Sequence, residues 1–353
     1  MTLVVDQRQS VKTRLAFLAS FLLAVLVLVL VACGAADPEW DTQILRGETM
    51  GTSYQVTLVA EPGWNWPLSQ EEVQSQLNSK LRQINQWMST YIDDSALMRF
   101  NRTPQGQWET LPEPLMEVLQ ISRSVSERSD GAFDITVAPL VNLWGFGPQA
   151  QPEQVPDDET LLASLANLGF QHLELSGNRA RRLRDISLDL SGVAKGYGVD
   201  YLGRWLEQQG YRNYLVEIGG EVRLSGVSPR GGAWRIGVEQ PNLLHREGRK
   251  TLELSDIAMA TSGDYRNYYE RDGKRYSHTI DPRTGRPIEH SLASVTVLAD
   301  TAAEADAWAT ALNVLGPKKG MVIAQREKLP VYMVVREGES YTDRYSDAFK
   351  AYW

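Results

Sequence analysis

A chain of 353 residues that is 42% hydrophobic and 23% charged has a globular balance, which excludes the disordered and fibrous classes. Its net charge of −8, with no basic tract, argues against a nucleic-acid partner. The one cysteine, Cys33, excludes an intrachain disulfide, and four scattered histidines without a second cysteine exclude a zinc-type site.

In chain order, Lys12 and Arg14 precede an apolar run from Leu15 to Ala32, broken only by Ser20 and ending at Cys33. Residues 1–32 read as a secretory signal of lipoprotein type, cleaved before Cys33, whose thiol is then lipidated; an uncleaved anchor is the alternative. Either way the folded part is exported and held at a membrane through its N-terminal end. That predicts a bacterial cell envelope location, on the inner or outer membrane and facing the periplasm. Loss of Arg8, Lys12 and Arg14 against Asp6 takes the net charge of the remainder from −8 to −10. Residues 33–47 are expected to form the lipidated cysteine and a tether. Residues 48–353 are expected to form one large domain, since elements interleave and no repeat or linker divides them.

The first strand is predicted over 53–60, where Tyr54, Val56 and Leu58 alternate with polar residues. Ser69 and Glu72 make a capping box, and Val73, Leu77, Leu81, Ile84 and Met88 follow at helical spacing. Met50-Gly51-Thr52 and Ser89-Thr90-Tyr91 are turns on either side. Helices are predicted over 114–126 and 157–168. Between them, "SDGAFDITVAPLVNLWGFGP" is loop-rich yet too apolar for solvent, so it is expected to fold over something. Then come a strand over 182–190, a helix over 193–209, a strand over 214–224, and a last helix over 302–315 flanked by strands at 294–298 and 331–335.

Five stretches invite chemistry. "DLSGVAKGYGVD" leaves a strand by a glycine turn and enters a helix with Lys195 in its first turn, an arrangement that suits phosphate; an ordinary junction with a solvated lysine is the alternative. "EIGGEVRLSG" sets Gly219-Gly220 inside an apolar strand, either as a bulge or for close approach of another group. "ATSGDYRN", with Thr261, offers a small-residue turn to an anion or a ring edge. Asp306 and Thr310 lie four apart on the last helix and present a carboxylate and a hydroxyl to a hard cation such as Mg²⁺, or else a solvated face. "SHTIDPRTGRP" places His278 and Asp281 in a segment full of turn residues.

Together with "MGTSY" at Met50, "MSTYIDDSALMRFN" at Met88, "DGAFDITVAPLVNLWGFG" at Asp130 and "AEADAWATAL" at Ala303, these stretches resemble, in order, the FAD:protein FMN transferases, the ApbE flavin transferases. The resemblance implies an α+β, T-fold-like domain of antiparallel sheets with packed helices. It also implies an exported Mg²⁺-dependent enzyme that cleaves the FAD pyrophosphate and attaches FMN through a phosphoester to a Thr or Ser of an acceptor protein. Such acceptors are typically flavin-carrying subunits of ion-pumping respiratory complexes. It places the FAD site at Met50, Ser89, Thr90, Tyr91, Asp134, Lys195, Glu217, Gly219, Gly220, Thr261 and His278. The metal falls to Asp306 and Thr310 with the carbonyl of Ala194. Lys195 takes the pyrophosphate, and His278 is the expected base, since an unperturbed imidazole titrates near neutrality, at about 6.5, with Asp281 to orient it. An FAD pyrophosphatase using the same site and a non-catalytic flavin-binding lipoprotein are the alternatives; Tyr91 goes with transfer rather than hydrolysis.

Overall fold

The computed structural model describes residues 40–148, 155–238, 250–263, 268–271 and 273–353, so the signal and Cys33 lie outside the described residues. Eight strands form the main sheet: β1 (Asp41–Thr49), β2 (Thr52–Ala60), β3 (Asn213–Ile218), β4 (Glu221–Ser225), β5 (Ala258–Gly263), β6 (Leu292–Ala299), β7 (Val331–Glu337) and β8 (Ser340–Tyr345). Each strand lies antiparallel beside the next in the chain, a meander interrupted by long insertions.

Both faces of the sheet are covered, and the period of two decides which side chain goes where. On β6 and β7, Val295, Val297, Val331, Met333 and Val335 enter one core, while Leu298, Tyr332 and Val334 enter the other. The first core lies under four long helices, α1 (Gln70–Met88), α2 (Glu113–Arg128), α3 (Ala194–Gln208) and α4 (Ala302–Arg326). The second lies under the hairpin of Trp234–Val238 with Lys250–Leu254 and the 3₁₀ helix Asp347–Tyr352. This antiparallel sheet with packed helices is the expected architecture. The predicted capping box starts α1: the Ser69 N–H donates to Glu72 at 2.8 Å and the Glu72 N–H donates to Ser69 Oγ at 3.2 Å. The five predicted apolar positions of α1 are all buried.

Several boundaries differ from the sequence reading, each for a local reason. β1 occupies 41–49, inside the stretch assigned to the tether. Its inner face was not legible because Gly47 stands opposite Tyr54, whose ring fills the space a Gly47 side chain would take. The predicted strand over 182–190 is a strand only to Arg182. Ile186, Leu188 and Leu190 alternate because the segment is extended and half-buried, but the Asn101 side chain, rather than a neighbouring strand, pairs with the N–H and carbonyl of Leu188 at 2.8 and 2.9 Å. The predicted strand over 214–224 is the hairpin β3–β4. Gly219 and Gly220 form its two-residue turn, both with positive φ (62° and 108°), which a type I′ turn requires, so they are neither strand interior nor bulge. "ATSG" is not a turn but the end of β5. The loop-rich 129–148 stretch contains a short helix, Ala138–Leu143, and the helix predicted over 157–168 spans Asp158–Leu165. The last helix runs on to Arg326 through a break at Gly316 (φ 70°) and Pro317, where the predicted 302–315 helix stops.

Candidate active site

The start of α3 organises the site. Asp189 Oδ1 accepts from the Ser191 N–H at 2.7 Å, and the Asp189 N–H donates to Ile135 O at 2.7 Å, tying this turn to the 129–148 segment. A Cβ at Gly192 would stand 3.1 Å from the Phe133 ring and 3.2 Å from the Thr310 side chain, so the turn passes close between them. Val193 provides no side-chain cap for α3. The Gly196 N–H donates instead to Asp306 Oδ2 at 3.0 Å across the α3–α4 crossing. A Cβ at Gly196 would lie 2.2 Å from Ala302 O, so the crossing requires glycine there.

Lys195 Nζ then stands 2.6 Å from Glu221 Oε1 and 3.8 Å from Asp306 Oδ1, with both carboxylate residues almost fully buried. Burial pushes the Glu221 and Asp306 carboxyls up, against the pull of the Lys195 ammonium. Burial also works against the ammonium, but Asp306 and Glu221 outweigh it and hold Lys195 above the usual lysine value.

Two cavities meet at this lysine. The larger, about 630 Å³, is lined by Phe133, Asp134, Phe146, Glu221, His278, Asp306 and others; the second, about 510 Å³, is lined by Met50, Ser89, Thr90, Tyr91 and Ala194 among others. Ser191 and Lys195 line both. In the second cavity, Met50 and Gly51 turn β1 into β2, and Met50 holds a left-handed φ of 51°, a conformation that costs a non-glycine residue about 1–2 kcal/mol. Tyr91 is 68% exposed, and its aromatic ring suits contact with a planar group.

Of the residues expected at the site, Asp134, Lys195, Gly219, Thr261, His278, Asp306 and Thr310 line the larger cavity, and Met50, Ser89, Thr90, Tyr91 and Ala194 line the second with Lys195. Glu217, Gly220 and Asp281 line neither. Glu217 Oε1 accepts from the Gly220 N–H at 2.7 Å and closes the β3–β4 turn. Asp281 binds the Arg283 N–H, Nε and Nη2 at 2.7–2.9 Å and so shapes its own loop, the base of which is the Ile280–Asp281 pair with Arg286–Pro287. Trp144 Nε1 donates to Gly285 O at 2.7 Å and fastens that loop to the short 138–143 helix. His278 meets the Phe146 ring edge to face at 6.4 Å. Asp134 lines the cavity, yet both its oxygens are engaged: Oδ1 accepts from the Thr136 N–H and Oγ1 and Oδ2 from the Phe170 N–H.

Glu221 is the site residue that the sequence reading passed over. Reading Gly219-Gly220 as a hairpin turn would have placed Glu221 opposite Ile218 at the head of β4.

Among the described residues, no three His, Cys, Asp or Glu side chains are grouped to hold a metal. The donor set is nevertheless suited to a hard cation. Asp306 and Thr310 stand one turn apart on α4, two buried carboxylates face one ammonium, and Glu221 Oε2 is buried without a hydrogen-bond partner. Such a cation would hold to Asp306, Thr310 and a backbone carbonyl and take the rest of its shell from water and phosphate.

A family model described as the ApbE family matches residues 50–333. An FAD:protein FMN transferase of Vibrio cholerae is 41% identical over 331 residues, covering 94% of this chain and 98% of that protein. The enzyme of the same description from Escherichia coli K12 is 42% identical over 317 residues, 88% of this chain and 89% of its own. Among solved structures, the flavin transferase ApbE from Vibrio cholerae superposes with a TM-score of 0.82 at 41% identity, over 89% of this chain and 100% of that one. The apo form of the Pseudomonas stutzeri flavinyl transferase ApbE gives 0.82 at 42%, over 89% and 97%.

Proposed function

The chain belongs to the ApbE family, and from that premise we propose that it is an FAD:protein FMN transferase that works at the junction of its two cavities. The observation that carries this reading is the sharing of Lys195 and Ser191 by cavities of about 630 and 510 Å³. A dinucleotide has that form, with two ring systems joined by a pyrophosphate. The Lys195 ammonium at the junction meets the phosphates, and each half of FAD occupies one cavity.

In the reaction, the hydroxyl oxygen of an acceptor Thr or Ser bonds to the phosphorus of the FMN half. The pyrophosphate P–O bond breaks, and AMP leaves with the bridging oxygen. Phosphoryl transfer demands positioning and charge neutralisation above all. Lys195 offsets the charge that moves onto the leaving phosphate, and the glycine turn at Gly192 lets the phosphates approach the backbone. His278, on the wall of the larger cavity, takes the proton of the acceptor hydroxyl. Asp306, Thr310 and the Ala194 carbonyl would hold Mg²⁺, which would supply positive charge for the phosphate oxygens.

The same reading places the protein in the cell envelope, lipid-anchored through Cys33 and facing the periplasm. Its acceptors there are flavin-carrying subunits of ion-pumping respiratory complexes.

The test incubates the full chain with FAD, Mg²⁺ and an acceptor domain, then measures acceptor mass and free AMP. Acceptor that gains FMN in step with AMP is the expected result. AMP without modified acceptor would overturn transfer in favour of FAD hydrolysis, and neither product would leave a flavin-binding module.

A further inference from the structure

Glu221 has no role in the reaction just described, yet it is among the most deeply placed charged groups of the molecule, 2% exposed at the head of β4. Burying a carboxylate is costly unless it is paired. One oxygen is 2.6 Å from Lys195 Nζ, and the other is buried with no hydrogen-bond partner. Lys195 also has a second carboxylate within reach, Asp306, at 3.8 Å. The two compete for one ammonium, and Glu221 holds the shorter contact.

The competition matters because Asp306 already accepts from the Gly196 N–H through Oδ2, which leaves Oδ1, the oxygen facing Lys195, as its free donor. An ammonium in direct contact with that oxygen would occupy the position a cation needs. We infer that Glu221 is a positioning residue that holds the Lys195 ammonium off Asp306, keeping the Asp306 carboxylate open to a divalent cation and Lys195 at the junction of the two cavities. The turn that delivers Glu221 supports this arrangement: Gly219 has φ 62°, and a Cβ there would come within 3.3 Å of Lys195 Cδ, so the hairpin passes close to the lysine stem. The inference rests on the metal reading given above and adds a residue to it.

A double-mutant cycle on the full chain in detergent, without FAD, separates this role from a plain effect of charge. Mn²⁺ serves as the probe, and its bound fraction is read from the electron paramagnetic resonance signal. Glu221→Gln is expected to weaken Mn²⁺ binding by about 10-fold or more, the range found when an outer partner of a metal ligand is removed. In a Lys195→Met background the same substitution is expected to change Mn²⁺ binding less than about 2-fold, because no ammonium remains to be held away. Wild-type Mn²⁺ affinity in Glu221→Gln, or an equal loss in both backgrounds, would overturn the inference. Should Glu221→Gln fail to fold, as judged by thermal unfolding, the cycle is run with Glu221→Asp, which draws the carboxylate back by one methylene from its 2.6 Å contact; the same outcomes decide. A wild-type protein that binds no Mn²⁺ overturns both this inference and the metal reading, whereas FAD binding in the presence of a chelator decides the flavin reading separately.

Discussion

The proposed reaction gives His278 and Asp306 different parts, so their substitutions should fail differently. His278 stands on the cavity wall beside the Phe146 ring and is not packed into a core. His278→Ala should therefore leave FAD affinity near the wild-type value and lower transfer by about 10²–10⁴-fold, the usual contribution of a positioned base. Single-turnover transfer measured beside FAD fluorescence titration checks this, and a full transfer rate would remove His278 from the role. Asp306→Asn keeps the shape but loses the charge that a cation needs. Its activity should return only in part as Mg²⁺ is raised, with the half-saturating concentration shifted by more than about 10-fold, since outer partners alone reach that size. Lys195, Asp306 and His278 were singled out by local features: a glycine turn into a helix, a carboxylate and hydroxyl four apart, and a histidine among turn residues. Each had an ordinary local alternative that only the family resemblance along the whole chain reversed. Glu221 was not singled out, because an acid beside two glycines reads as an ordinary turn flank until the hairpin is known. Asp281 was expected to orient His278, but local sequence could not reveal that Arg283, two residues on, engages both its oxygens.

The relation between α3 and α4 fixes the distance from Lys195 to Asp306, and one buried carboxylate governs it. Asp200 of α3 accepts from the Ala302 N–H at 3.0 Å and the Ala303 N–H at 2.9 Å, the first amides of α4, and from Arg223 Nη1 of β4 at 3.0 Å. It caps α4 from another helix, while Thr301 supplies the local cap to Glu304. Burial raises the Asp200 carboxyl, although these donors pull the other way. Asp200→Ala leaves two amides without their acceptor and takes from Arg223 one of its contacts, those to Tyr214 and Glu207 at 3.0 Å remaining, and should cost about 3 kcal/mol in a denaturant titration. Activity at a temperature where the variant remains folded should fall as well, because α4 is then free to turn relative to Lys195. A variant within about 0.5 kcal/mol of wild type, the ordinary range for inconsequential surface changes, would refute this account. Sequence pattern identified both helices, but not their tie. Asp200 was read only as the end of a glycine-rich stretch, since a cap supplied across a hundred residues leaves no local trace.

At the scale of the whole molecule, the first strand of the meander would stand between the proposed tether and the chemistry. β1 begins at Asp41 and ends at Thr49, beside the Met50-Gly51 turn on the wall of the second cavity. Nine residues of antiparallel strand at about 3.4 Å each set these ends about 30 Å apart. The eight residues from Cys33 to Trp40 add at most about 28 Å of extended chain. With the proposed lipid on Cys33, the cleft thus works within about 60 Å of the bilayer surface, a range that suits an acceptor domain borne by a membrane complex. Cys33→Ser should move the protein from the membrane fraction to the soluble periplasmic extract, as immunoblotting of fractionated cells would show. Because the substitution changes none of the residues that line the two cavities, transfer to a soluble acceptor domain should keep its wild-type rate. Transfer to an acceptor embedded in membrane should fall, since the tether no longer raises its local concentration. Persistence of the variant in the membrane fraction would refute anchoring through Cys33, and equal loss with both acceptors would point to damage at the cleft instead.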